Sequence, residues 1–188
     1  MDLETEILKE HSKRQTVRIA RWIGTDQKRF RQLMDLLLHG DRIVTQRAAW
    51  ILSSCYDIHP RLITPWIPAL LKKMQEPDVH DALKRNVVRI LQCCEIPSSQ
   101  LGTVATLCFE YLGAPHTPIA IRVNAMTVLQ RIAEREPELK RELRTAIELM
   151  LPYAGAALRA RARRVMKELG TELSPTRRTT AQRVRKET

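Results

Sequence analysis

One short helical pattern returns along this chain at intervals just under forty residues, and that periodicity excludes most folds. Gln46-Arg47-Ala48-Ala49-Trp50-Ile51-Leu52 is followed by Arg85-Asn86-Val87-Val88-Arg89-Ile90-Leu91 and then by Val123-Asn124-Ala125-Met126-Thr127-Val128-Leu129. Leu52 to Leu91 is 39 steps and Leu91 to Leu129 is 38. A fourth copy, Ala160-Arg161-Ala162-Arg163-Arg164-Val165-Met166, lies 37 steps further on, and a weaker one, Val17-Arg18-Ile19-Ala20-Arg21-Trp22-Ile23, precedes them all. A unit of this length holds two helices and exposes an apolar stripe too wide to leave in water, so each pair must be covered by the next. The predicted fold is all-α, a linear stack of about four to five helix pairs.

Stops fall where helix chemistry requires them. Gly24-Thr25-Asp26, Gly40-Asp41, Pro77-Asp78, Pro97-Ser98-Ser99, Gly113-Ala114-Pro115 and Pro152-Tyr153-Ala154-Gly155 supply breakers and polar caps. Between them Leu62, Ile63, Trp66, Ile67, Leu70, Leu71 and Met74 form one helical stripe, with Leu101, Val104, Ala105, Cys108, Tyr111 and Leu112 forming another. Pro65 and Pro68 fall inside the first of these stripes and are expected to kink its helix.

Composition fits a single repeat domain, predicted over residues 1–170. At 188 residues and 44% hydrophobic the chain can bury a continuous core, and 6 glycines with 28% charged residues suit amphipathic helices. The net charge is +11, of which residues 171–188 contribute five cations against two acids. That basic tail, Thr171 to Thr188, has little apolar periodicity and is expected to be disordered. The excess of cations favours a polyanionic partner, either nucleic acid or an acidic protein. The acidic start Met1 to Glu6 lacks the basic segment and apolar run of a secretory leader, and no stretch approaches the ~20 apolar residues of a bilayer span. The expectation is a cytoplasmic protein with no membrane partner. Cys55, Cys93, Cys94 and Cys108 lie in helical apolar stripes without CxxC spacing, and are expected to be buried, reduced thiols.

Trp66-Ile67-Pro68-Ala69-Leu70-Leu71-Lys72-Lys73-Met74, followed by Glu76-Pro77-Asp78-Val79 and by Lys84 to Leu91, resembles the HEAT family. The likeness is to that family's proline-bearing first helix, Pro-Asp turn and Arg-starting second helix, and it covers about Lys13 to Gly170. It implies a right-handed α-α superhelix, and a scaffold or binding role more often than catalysis. The period is slightly shorter than the ~40–47 residues of HEAT units, and the segment from Met74 to Lys84 looks longer than its counterparts.

Helical register then predicts which side chains face the inside of the stack. With Val87, Ile90, Leu91 and Cys94 in the core, Arg85, Arg89 and Gln92 point away from it. Repeating that register groups Arg21, Trp50, Arg89, Thr127 and Arg164 in one row, and Ser53, Gln92, Gln130 and Lys167 in the next. This basic face is either a binding groove, since Arg and Trp dominate interface hot spots, or a solvated helix surface with Trp50 packed on a neighbouring repeat. A third row, Arg18, Arg47, Asn86, Asn124 and Arg161, is expected to hydrogen-bond between repeats.

Known catalytic patterns do not occur. The histidines 11, 39, 59, 80 and 116 are scattered, no HExxH or Gly-rich phosphate loop is present, and Asp78-Val79-His80-Asp81 reads as a helix cap built on aspartate. No metal or other cofactor is expected. Some HEAT-like proteins are DNA glycosylases for alkylated purines that hold the damaged nucleotide with tryptophans and an aspartate. Trp22 and Asp26 here stand four apart, but Gly24 is expected to break the helix between them and Asp26 to cap the next one. The leading expectation is a non-catalytic scaffold binding a protein partner, with nucleic-acid binding as the alternative.

Overall fold

The computed structural model describes residues 1–170, as ten α-helices with four short 3-10 turns and no strand among the described residues. The basic tail predicted for 171–188 lies outside them. The helices pair in order: α1 (Leu3–Lys9) with α2 (Lys13–Ile23), α3 (Gln27–His39) with α4 (Arg42–Ile58), α5 (Ile67–Met74) with α6 (Asp81–Leu91), α7 (Leu101–Gly113) with α8 (Ile119–Arg135), and α9 (Leu139–Met150) with α10 (Ala156–Glu168). Successive second helices pack on one another, α2 on α4, α4 on α6, α6 on α8 and α8 on α10, and form the inner layer. The first helices cover its other side. One core runs unbroken from Leu3 to Met166, so no pair has a private interior and each is stabilised by burial against the next.

Local chemistry starts and stops these helices. Ser12 accepts from the Gln15 amide, Asp26 from those of Lys28 and Arg29, and Asp41 from those of Ile43 and Val44. Gly24 ends α2 at φ +50°, a conformation a side chain would strain. Gly40 lets α3 and α4 meet closely, because a Cβ there would lie 2.4 Å from the Leu36 carbonyl and 2.7 Å from Val44 Cγ1.

The third pair departs from the predicted kinked helix. Pro60–Leu62 and Thr64–Trp66 are 3-10 turns, and α5 begins only at Ile67. Pro65 and Pro68 occupy first or second positions of a turn and a helix, where the missing N–H would be unpaired anyway; they initiate rather than bend. The stripe survives the change, with Leu62, Ile63, Ile67, Leu70, Leu71 and Met74 all buried. Trp66 is only half-buried and sits edge-on to Phe30, with centroids 6.4 Å apart. Among the cysteines, Cys55, Cys94 and Cys108 are buried, and desolvation pushes their thiols up to about 12, about 11 and about 12; Cys93, against expectation, is exposed.

The side chain that caps α6 is His80, while Asp81 stands in its first turn as expected. His80 Nδ1 accepts from the Ala82 amide at 3.0 Å, which requires a neutral ring with its proton on Nε2, while Asp78 bends the chain ahead of it at φ 60°. Burial, and next the positive charge of Arg42, hold the His80 pKa below its ordinary value. The folded state therefore resists a proton that the unfolded chain accepts, so stability is intact above the unfolded value of about 6.5 and falls as pH drops below it. His80→Asn, which keeps a neutral acceptor, is expected to flatten the dependence of the urea midpoint on pH between roughly 6.5 and 5. An unchanged slope in the variant would remove His80 as its source.

Candidate protein-binding groove

The first three inner helices, α2, α4 and α6, enclose a groove of about 770 Å³. The turn before α2 contributes His11, and α2 itself contributes Lys13, Val17 and Arg21. From α4 come Trp50, Ser53, Asp57 and Ile58, and from α6 come Arg85, Asn86 and Arg89. Four of the eight side chains predicted for the inner binding face, Arg21, Trp50, Arg85 and Arg89, thus meet at one place although 68 residues separate the first from the last.

Its charges divide into one that is spent and three that are not. Arg89 donates to Ser53 Oγ at 2.5 Å and to the two Asp57 carboxylate oxygens at 2.9 and 3.1 Å, tying α6 to α4. Among the described residues, Asp57 is the only carboxylate lining the groove. Lys13, Arg21 and Arg85 have no carboxylate within ion-pair distance among the described residues, and all three are exposed. Between them the half-buried Trp50 lies 5.3 Å from the His11 ring, with the planes at 42°. The groove offers three unneutralised cations around an aromatic surface, with donors in excess of acceptors.

The other predicted face residues lie elsewhere. Gln92 reaches back to the Arg89 carbonyl at 3.4 Å. Gln130 donates to the Glu168 carboxylate and so joins α8 to α10. Arg164 and Lys167 are exposed on α10, beside Arg159, Arg161 and Arg163. The predicted face is thus divided, with Arg21, Trp50, Arg85 and Arg89 lining the groove and Gln92, Gln130, Arg164 and Lys167 outside its lining.

The predicted inter-repeat row is mixed. Arg47 on α4 donates to the carbonyls of Ile7 and Leu8 at 3.2 and 2.7 Å, satisfying the C-terminal end of α1. Arg18 pairs with Glu6 inside the first repeat. Asn86, contrary to expectation, bonds within its own helix, donating to the Ala82 carbonyl at 2.7 Å. Asn124 and Arg161 are half-buried and make no side-chain hydrogen bond among the described residues. Two arginines the sequence register did not point to take the inter-repeat role. Arg131 donates to the carbonyls of Leu91 and Cys94 at 2.9 and 3.3 Å, and Arg135 to that of Ile96 at 3.3 Å. Arg131 thereby places a cation at the C-terminal end of α6, where carbonyls are unpaired and the helix dipole is negative, while Arg135 satisfies a carbonyl of the loop that follows. Counted from Leu129, the positions equivalent to Arg131 hold Thr25, Ser54, Cys93 and Glu168, so periodicity carried no signal for it; Arg135 falls in register with an arginine only at Arg29, which lies on α3.

Trp22 and Asp26 are engaged structurally. Asp26 caps α3, and the Arg29 amide first of all holds its carboxylate below the usual range, while the Arg29 guanidinium lies 4.5 Å over the Trp22 ring and donates to the Trp22 carbonyl at 2.6 Å.

These features define a helical-repeat protein with a cationic inner groove. The family model described as the HEAT repeat domain matches residues 3–169, and the chain belongs to that family. No curated protein and no solved structure matches it.

Proposed function

We propose that this HEAT protein is a non-catalytic scaffold that holds an acidic segment of a protein partner in the groove between α2, α4 and α6. The observation that supports this most is the set of exposed cations, Lys13, Arg21 and Arg85, gathered around Trp50 with the one nearby carboxylate already bound by Arg89. An acidic segment supplies the missing charge, and Trp50 offers the desolvated anchor that strong interfaces are built on. No cofactor is part of this reading. The test is binding of a fluorescein-labelled Glu-rich peptide to the wild type and to an Arg21→Glu, Arg85→Glu variant.

A second reading, nucleic-acid binding, is favoured by α10, where Arg159, Arg161, Arg163, Arg164 and Lys167 face a single acid, Glu168. If all five cations contact phosphates, affinity falls roughly 500-fold between 50 and 200 mM salt, from a slope of about −0.9 per phosphate. Fluorescence anisotropy showing no binding to duplex or single strands at the lower salt would dismiss it.

A further inference from the structure

A second cleft, of about 630 Å³, opens on the other side of the stack between α7, α8 and α9, and its chemistry is the reverse of the inner groove's. Its floor includes the buried Ile132, and its walls are the half-buried Phe109 and Leu139. Around them stand Glu110, Glu136, Glu138 and Glu142, with no lysine or arginine in the lining. None of the four belongs to an ion pair among the described residues. In a chain with 32 cations against 21 acids, an apolar cleft lined by four glutamates, where the one cation at the rim is Arg135 bonded to the Ser98 hydroxyl and the Ile96 carbonyl, calls for a basic occupant.

We infer that the occupant is the chain's own segment 171–188. Its charge is complementary: Arg177, Arg178, Arg183, Arg185 and Lys186 stand against Glu172 and Glu187, and Val184 between two arginines supplies an apolar side chain for the floor. Its origin is close to the cleft. The Glu168 carboxylate, at the end of α10, accepts from Gln130 on α8, and Ile132 and Glu136, two and six residues further along α8, belong to the cleft. Arg177 follows Glu168 by nine residues, which extend to about 30 Å, more than the roughly 16–19 Å of a half-turn around a helix ~10–12 Å across. Tethering keeps the segment at millimolar effective concentration, on the order that lets weak ion pairs hold. Docked there, the segment's cations are withheld from outside polyanions, and this inference does not depend on what the inner groove binds.

The experiment compares backbone amide resonances of the full chain with those of a full-length variant carrying Arg177→Gln, Arg178→Gln, Arg183→Gln and Arg185→Gln. The circular-dichroism signal and melting temperature of the variant, compared with those of the full chain, report on its folding. Shifts concentrated at Ala105, Phe109, Glu136, Leu139 and Glu142, matched in the wild type by adding salt and unchanged on tenfold dilution, are the expected result. In the converse variant, Glu136→Gln with Glu142→Gln, the resonances of 177–186 should move. Cleft resonances that stay put, or shifts at Arg21, Trp50 and Arg85 instead, would overturn the assignment. Shifts that vanish on dilution would overturn it as well, by placing the segment on a second copy.

Discussion

Arg21→Glu combined with Arg85→Glu is expected to weaken binding of a fluorescein-labelled Glu-rich peptide by about 100- to 1000-fold, with the helical circular-dichroism signal and melting temperature unchanged. Arginine hot spots contribute ~2 kcal/mol or more each, and every ~1.4 kcal/mol is tenfold in affinity. The fold should tolerate both changes because neither side chain has a partner within the described chain that the substitution would strand. Arg89 is a poorer probe. Its removal cuts the link from α6 to α4 and leaves Asp57 without a counter-charge, so lost binding would not separate the groove from the scaffold. Arg164→Glu on α10, outside the groove, serves as the control and should leave the peptide's affinity unaltered. Equal affinity for the wild type and the intact double variant would end the groove proposal.

Phe30→Ala is expected to destabilise the whole stack by about 3–5 kcal/mol. Phe30 is 0% exposed, lies on α3 and meets the edge of Trp66 from the next pair, with planes at 66°. Its loss opens a cavity at a junction between repeats rather than inside one. For a domain of this size each kcal/mol lowers the melting temperature by roughly 2–4 °C, so a drop of about 6–20 °C should appear in a thermal melt. The core is continuous from Leu3 to Met166, so the melt should remain a single transition at the lower temperature. A shift below about 2 °C would mean that the surrounding side chains close over the vacancy and that Phe30 is not a keystone of the junction.

Much of this was legible in the chain itself. The recurrence of Leu52, Leu91, Leu129 and Met166 places the inner helices, and the breakers at Gly24, Gly40 and Pro77 separate the elements. The apolar positions of the third pair were read correctly even where its backbone was not, because burial follows side-chain spacing whereas Pro65 and Pro68 decide where a helix can begin. His80 was missed as a cap because aspartate is the common acceptor and the histidine ring can serve only while neutral.

By itself the sequence determined that helices pair and stack, since an apolar stripe repeated every 37 to 39 residues has no other way to leave water. It also determined which helix face each of Arg21, Trp50, Arg85 and Arg89 occupies. Only the tertiary structure decided that these four share one groove while Gln130, Arg164 and Lys167 do not, and that Arg89 is spent on Asp57. Face membership follows from the 100° step of a helix. Which faces converge depends on how far each pair rotates on the last, a quantity set by the summed packing of the interfaces and written in no single residue.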